Sequence, residues 1–180
     1  GVYLEPGLGL VANPDELPPP ARDLFPLPGG EGLERYRDNI APERFCLQVA
    51  SSRGCPRGCS FCLWNQVLCP GLPRRPRSPQ SMLEELRSSL ALRSPDSFYF
   101  DDDSFTADPE AAAAICRAIL ASGLRIRWYA MADLEGLSGE LLELMAASGC
   151  RGIKFGLESA EAAVLAPEGK LPEAQKAFRL

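Results

Sequence analysis

The sequence predicts an α/β protein in which a parallel sheet is built from repeating strand–helix units. Short apolar runs alternate with amphipathic helical stretches from residue 45 onward. Two junctions between a helix and a strand, 121–125 and 147–151, read Ala-Ser-Gly-Leu-Arg and Ala-Ser-Gly-Cys-Arg. Such units form either a (β/α) barrel or a doubly wound sheet, and both architectures fit the pattern.

Four apolar runs predict the strands of this sheet, and they cover residues 45–50, 97–100, 126–131 and 153–157. Each run is short, contains aromatic or aliphatic residues, and is bounded by polar residues or glycine. Polar side chains follow the four runs: a cysteine-rich segment, the run 101–103, Asp133 and Glu158. Because the carboxyl ends of parallel strands meet at one edge, we expect these residues to lie along one rim.

Three helices are predicted between the strands. Ser78, Asp108 and Ser138 precede the helical patterns as N-cap residues, whose side chains accept a hydrogen bond from the first turn. Gly123 and Gly149 follow the second and third helices, where a left-handed residue ends a helix.

Residues 1–44 are predicted to form a proline-rich linker, with a small hairpin over 2–12. The prolines between residues 14 and 28 interrupt regular structure. We expect residues 45–180 to be the N-terminal part of a larger barrel, with a helical pattern at 172–180, because four units leave an open sheet edge. The domain before the linker is expected to lie outside this chain.

The composition excludes several classes of protein. The chain has 180 residues, of which 46% are hydrophobic, and a net charge of −5. This acidic balance argues against general nucleic-acid binding. We expect neither a membrane-spanning segment nor a signal peptide, because no apolar run of the required length is present. Seven cysteines, an odd number, favour metal-bound thiolates in a reducing cytoplasm over a secreted disulfide scaffold. The absence of histidine excludes a Ser-His-Asp triad within the chain.

The segment after the first predicted strand carries the main functional signal. Cys55, Cys59 and Cys62 follow the spacing C-x-x-x-C-x-x-C in a loop that contains glycine and proline. Three thiolates are one ligand short of the four that close an ordinary iron–sulfur cluster or a structural zinc site. The site is therefore expected to keep an open coordination position. In the alternative, Cys69 is the fourth ligand, and the protein is a zinc-binding or electron-transfer module without enzymatic activity.

These residues resemble the cluster motif of the radical SAM superfamily. The similarity begins at 53–62, and the segments 75–79, 100–106 and 155–159 resemble later landmarks of its cobalamin-associated branch. The stretch 17–24 is similar to the linker that precedes the barrel in that branch. The resemblance implies a partial TIM-like barrel of about four β/α units.

The resemblance also implies the cofactors and the chemistry. Cys55, Cys59 and Cys62 would hold a [4Fe–4S] cluster whose fourth iron binds S-adenosylmethionine (SAM). Reductive cleavage of SAM would give a 5′-deoxyadenosyl radical, used for cobalamin-dependent methyl transfer or for a radical rearrangement. Cobalamin would be bound by a domain outside this chain. A flavodoxin, a ferredoxin or a reductase would donate the electron, and the substrate is not readable from the sequence.

Four further residues are assigned to cofactor binding by the same resemblance. Phe61 would lie near the adenine of SAM, with a hydrophobic plug beneath the cluster as the alternative. Asp102 and Asp103 would contact the SAM amino group or the substrate, unless the run is a solvated turn. Glu158 would bind the ribose or amino group, with a structural salt bridge as the alternative. Asp133 is assigned no role.

Overall fold

The computed structural model describes residues 11–24, 41–64, 73–167 and 170. The strands in this part of the chain are β1 (Cys46–Val49), β2 (Ser52–Arg53), β3 (Arg75–Pro76), β4 (Ser97–Phe100), β5 (Trp128–Met131) and β6 (Cys150–Lys154). The helices are α1 (Pro79–Arg93), α2 (Pro109–Ala121), α3 (Gly139–Ala147) and α4 (Ala162–Leu165). Short 3₁₀ turns cover Pro14–Glu16 and Phe105–Ala107.

The central sheet has four parallel strands in the order β1-β4-β5-β6, and β2 and β3 form a separate antiparallel pair. This confirms the predicted α/β class. The strands lie side by side in the order of the chain, as they do in a (β/α) barrel, whereas a doubly wound sheet reverses its order at a switch point. The consecutive order therefore favours the barrel arrangement for the described strands.

The three predicted helix starts are confirmed by their capping hydrogen bonds. The side chains of Ser78, Asp108 and Ser138 accept hydrogen bonds of 3.1–3.2 Å from backbone N–H groups three residues later. Gly123 and Gly149 have φ angles of +71° and +105°, the left-handed conformation expected after a helix.

The two faces of the sheet have different neighbours. Phe98, Phe100 and Trp128 are fully buried against the helices, and the rings of Phe100 and Trp128 meet edge to face at 5.1 Å. The opposite face carries Tyr99 and Tyr129, which are also buried. Aromatic side chains thus pack on both faces of β4 and β5, the strands that lead into the loops at the carboxyl edge.

The predicted bounds of the last strand are wrong by three residues. The strand was expected over 153–157, but β6 covers Cys150–Lys154. The left-handed Gly149 turns the chain directly into the sheet, and its carbonyl accepts a 3.1 Å hydrogen bond from Trp128. Pairing with β5 therefore begins immediately after the turn, and residues 155–158 form a loop at the carboxyl edge.

The described part of the predicted linker, residues 11–24, lies against α1. Glu85, which is 3% exposed, receives a 2.6 Å hydrogen bond from Arg22 and a second ion pair from Arg77. The Asp15 carboxylate accepts hydrogen bonds of 3.0–3.1 Å from the backbone N–H of Ser78. Polar contacts with the barrel thus hold this proline-rich segment in place. Residues 2–10 of the predicted hairpin and the predicted helix 172–180 lie outside the described residues.

None of the described helices is both long enough and apolar enough to cross a membrane.

Candidate functional site

A cavity of about 570 Å³ opens at the carboxyl edge of the sheet. This volume is within the range of small-molecule sites, which span about 300–1,000 Å³. Loops after all four strands contribute to its wall. Every predicted site residue is among those that line it: Cys55, Cys59, Phe61, Cys62, Asp102, Asp103 and Glu158. The expectation that these residues share one rim is therefore met, while the roles assigned to them stay predictions.

The cysteine loop begins at Gly54, whose φ angle of +95° directs the chain away from β2. A Cβ atom at this position would lie 3.0 Å from the carbonyl oxygen of Pro73, so the close packing also favours glycine. Cys55, Cys59 and Cys62 are half-buried, and none of them forms a disulfide. Burial is the main reason why the pKa of the Cys55 thiol is raised, and the nearby carboxylates add to this effect.

The donor set fits an iron–sulfur cluster. Three thiols that form no disulfide lie on one cavity wall and provide the soft ligands that such clusters select. Among the described side chains, no three from Cys, Asp or Glu are arranged to hold a single metal ion. Cys69, the alternative fourth ligand, lies outside the described residues.

Asp102 is engaged by the loop that precedes the cysteines. Its carboxylate accepts hydrogen bonds from the backbone N–H and hydroxyl of Ser51, at 3.1 and 2.9 Å, and from the hydroxyl of Ser52. Burial raises the pKa of Asp102, although these hydrogen bonds act in the opposite direction. The side chain thus ties the end of β4 to the residues that follow β1.

Asp103 makes a second connection of this kind. Its carboxylate accepts a 2.6 Å hydrogen bond from the backbone N–H of Gly54. Asp102 and Asp103 therefore have partners within the chain, in addition to any contact with a cofactor. These hydrogen bonds distinguish the two carboxylates from those of a solvated turn, which was the alternative interpretation.

Asp133, to which sequence analysis assigned no role, forms a third connection. It pairs at 2.9 Å with Arg57, which stands between Cys55 and Cys59 in the sequence. Its carboxylate also accepts hydrogen bonds from the Ser104 hydroxyl and the Gly136 N–H. Burial alone would raise the pKa of Asp133, but these hydrogen bonds and the Arg57 guanidinium bring it below its ordinary value. An acidic residue at a strand end opposite an arginine inside the motif is the signal that would have identified this pair.

Glu158 and Phe61 reach the cavity from more exposed positions. Because β6 ends at Lys154, the expectation that Glu158 ends an apolar strand is wrong, and its side chain is exposed. Its φ angle is +65°, and its carboxylate lies over Gly156, where an added Cβ would be 2.1 Å away. Phe61 is 51% exposed, so the described residues do not bury it as a plug. Its ring remains accessible to a ligand.

Comparison with known proteins supports the family resemblance. Over 92% of its length, the chain is 32% identical to an uncharacterised methyltransferase of Pyrococcus horikoshii. It is 30% identical, over 89% of its length, to the cytidylyl-2-hydroxyethylphosphonate methyltransferase of Streptomyces wedmorensis. The chain spans about a third of the length of these curated relatives, 34% and 30% respectively. No family model matches the chain.

Solved structures identify the fold. The chain matches the radical S-adenosylmethionine methyltransferase TsrM of Kitasatospora setae, with tryptophan substrate and a SAM analogue bound, at a TM-score of 0.66. The chain has the fold of a radical SAM protein. The match has 21% identity and covers 76% of this chain and 27% of TsrM. The cobalamin-dependent radical SAM enzyme OxsB matches at a TM-score of 0.58 with 21% identity, over 73% of this chain and 21% of OxsB.

These matches confirm the predicted resemblance to radical SAM proteins and the partial β/α fold. Both curated relatives are named methyltransferases, in agreement with the prediction that this chain belongs to an enzyme. A structure of TsrM contains cobalamin and a [4Fe–4S] cluster.

Proposed function

We propose that this chain forms the cofactor-binding part of a radical SAM methyltransferase. Cys55, Cys59 and Cys62 would hold a [4Fe–4S] cluster, and SAM would bind in the adjoining cavity. The observation that carries the proposal is the placement of the three thiols and four predicted SAM contacts around one cavity at the carboxyl edge of a parallel sheet. This edge is where β/α barrels place their chemistry.

The chain would bind and orient the cofactors. The chemistry that a bound cluster would supply is one-electron reduction of the SAM sulfonium, which would give methionine and a 5′-deoxyadenosyl radical. Phe61 offers an accessible aromatic face for the adenine. The carboxylates of Asp103 and Glu158 line the same cavity and would accept hydrogen bonds from the SAM amino group and ribose. The cavity walls would exclude water from the radical.

The complete protein is proposed to use cobalamin for methyl transfer. The support comes from its methyltransferase relatives and from the resemblance of 17–24 to a linker of the cobalamin-associated branch. A radical rearrangement is the other reaction that this cofactor set permits. A flavodoxin, a ferredoxin or a reductase would supply the electron. A reducing cytoplasm would keep the thiols of the motif out of disulfides and available to the cluster.

Anaerobic reconstitution with iron and sulfide tests the proposal on the protein that carries this sequence. We expect a reducible cluster whose EPR spectrum changes when SAM is added, and release of 5′-deoxyadenosine after reduction. Replacement of Cys55, Cys59 or Cys62 by Ala should abolish both signals. Cys150→Ala is the matched control, because Cys150 is a half-buried free cysteine at the start of β6, at the opposite edge of the sheet.

The Cys69→Ala variant separates the two candidate sites. If Cys69 closes a four-cysteine site, the variant loses its metal, SAM leaves the spectrum unchanged, and the enzyme proposal is wrong. A preparation that binds only zinc and never accepts iron would contradict it equally. Retention of a SAM-responsive cluster by Cys69→Ala supports the open site.

A further inference from the structure

Arg57 connects the middle of the cysteine motif to the end of β5. Its guanidinium lies 2.9 Å from the Asp133 carboxylate and 2.5 Å from that of Glu135. Arg57 stands two residues from Cys55 and two residues from Cys59. The ion pair therefore bridges residues 76 positions apart in sequence and holds the backbone between two ligands.

Asp133 is held from several sides. Its carboxylate accepts hydrogen bonds of 2.6 Å from Ser104 and 2.9 Å from the Gly136 N–H. Its backbone N–H donates to Ser104 and Thr106, and its carbonyl oxygen accepts a 2.7 Å hydrogen bond from the Thr106 hydroxyl. Residues of the loops after β4 and β5 thus hold Asp133 in place through contacts that do not involve Arg57.

The two arms of the Arg57 fork differ in burial. The side chain of Asp133 is 7% exposed and that of Glu135 is 58% exposed. An exposed pair contributes little, because water competes for both charges, whereas loss of one partner of a buried pair is costly. The ion pair between Arg57 and Asp133 must therefore contribute more to this connection than the ion pair between Arg57 and Glu135.

We propose that Asp133, acting through Arg57, is a positioning residue that holds the Cys55–Cys59 segment against the end of β5 before a cluster is assembled. The part that concerns the cluster rests on the proposed function. The contact itself is made by the protein alone, so it predicts an ordered loop in the absence of iron. Neither residue is proposed to touch SAM or the reacting atoms.

Alkylation of the iron-free protein tests the contact directly. Cysteine reactivity is read by mass spectrometry, residue by residue, in wild type, Arg57→Gln, Arg57→Lys, Asp133→Asn and the Arg57→Gln/Asp133→Asn double variant. We expect Cys55 and Cys59 to react about tenfold faster in the neutral variants Arg57→Gln and Asp133→Asn, which corresponds to about 1.4 kcal/mol of easier local opening. Arg57→Gln is the decisive variant, because it breaks the contact but keeps the Asp133 carboxylate, whose charge adds to burial in raising the pKa of Cys55. The double variant should react no faster than the single ones, because both remove the same pair. Arg57→Lys should restore part of the protection.

Three controls separate positioning from general destabilisation. The reactivity of Cys116, buried in the core, should stay at its wild-type level, since local loosening of the loop does not open the core. Arg117→Gln breaks an exposed pair with Glu110 at 3.7 Å and should change nothing. If Asp133→Asn fails to fold, the two Arg57 variants decide the question, because Arg57 lies on the loop and outside the core.

Iron and sulfide content after reconstitution then tests the consequence for the cluster. We expect both neutral variants to load less than half as much cluster as wild type at equal reconstitution time. Equal alkylation of wild type and variants would overturn the inference. If wild type forms no SAM-responsive cluster but the alkylation rates differ as expected, the proposed function fails and the positioning contact stands. If the rates differ but cluster loading does not, the proposed role in assembly is wrong.

Discussion

The carboxylate of Asp103 accepts a 2.6 Å hydrogen bond from the backbone N–H of Gly54, the residue before the first cysteine of the motif. This contact joins the carboxyl end of β4 to the start of the cysteine loop. A hydrogen bond to an ionised acceptor is stronger than one between neutral groups. Asp103 therefore stabilises the loop, whatever it contributes to SAM binding.

Substitution of Asp103 should lower the stability of the protein. Asp103→Ala removes the acceptor and leaves the Gly54 N–H without its partner, so we expect a loss of about 1–3 kcal/mol in the free energy of unfolding. Asp103→Asn keeps an oxygen at this position and should cost less. Urea denaturation measures both variants. Equal stability of Asp103→Ala and wild type would show that this hydrogen bond contributes nothing.

Phe61 should affect SAM binding and leave folding unchanged. The ring is 51% exposed and lines the cavity. Base–aromatic stacking contributes about 1–3 kcal/mol, so Phe61→Ala should weaken SAM binding by about 5- to 150-fold in a calorimetric titration of the reconstituted protein. Leu63→Ala is the matched control, because Leu63 is 60% exposed and does not line the cavity. Equal affinities in the two variants would exclude a contact between Phe61 and the adenine.

Two glycines of the α3 region should respond in opposite ways to alanine. A Cβ at Gly149 would lie 2.1 Å from the carbonyl oxygen of Ile126, and its φ angle is +105°. Gly149→Ala should therefore lower the free energy of unfolding by about 2 kcal/mol or more. Gly139 begins α3 with open space around its Cα, so Gly139→Ala should be neutral or stabilise by up to about 1 kcal/mol. Thermal unfolding compares them, and a neutral Gly149→Ala would contradict the packing described for this turn.

Tyr129 should make the fold sensitive to alkaline pH. Burial and a 2.9 Å hydrogen bond to Glu43 raise its pKa from the ordinary value of 10.0 to about 12. The folded state thus retains a proton that the unfolded chain loses above pH 10, so stability falls as the pH rises from about 10 to about 12. The Tyr129→Phe variant should not show this loss of stability between about pH 10 and about pH 12. Unfolding measured at pH 8, 10 and 11 tests the difference, and parallel pH profiles would contradict it.

Much of the sheet and its helices follows from local sequence signals. Ser97–Phe100 is a run of buried residues that matches its predicted bounds, and the caps at Ser78, Asp108 and Ser138 are local hydrogen-bonding patterns. The start of β6 was missed because its first residues, Cys150 and Arg151, carry no strong strand preference. Pairing with β5 places them in the sheet, and a neighbouring strand is a tertiary effect.

The sequence predicted which residues line the cavity, but it did not predict which residues form hydrogen bonds and ion pairs with them. The cysteine spacing and the polar residues at strand ends identified the cavity wall, because parallel strands bring their carboxyl ends together. The hydrogen bonds of Asp102 to Ser51 and Ser52, and the pairing of Asp133 with Arg57, depend on which loops meet in space. A single sequence does not fix that. The exposure of Glu158 depends on where β6 ends. Because the predicted bounds of this strand were wrong, the predicted environment of Glu158 was wrong as well.

The ion pairs around Glu85 have a consequence for any shortened version of this protein. A truncation that starts at residue 45 would remove Arg22 and leave the carboxylate of this helix to Arg77 alone. It would also expose the surface of α1 that residues 11–24 cover, together with the amide group that Asp15 satisfies. We therefore expect a version of the protein that keeps residues 11–24 to be more stable than one that starts at residue 45.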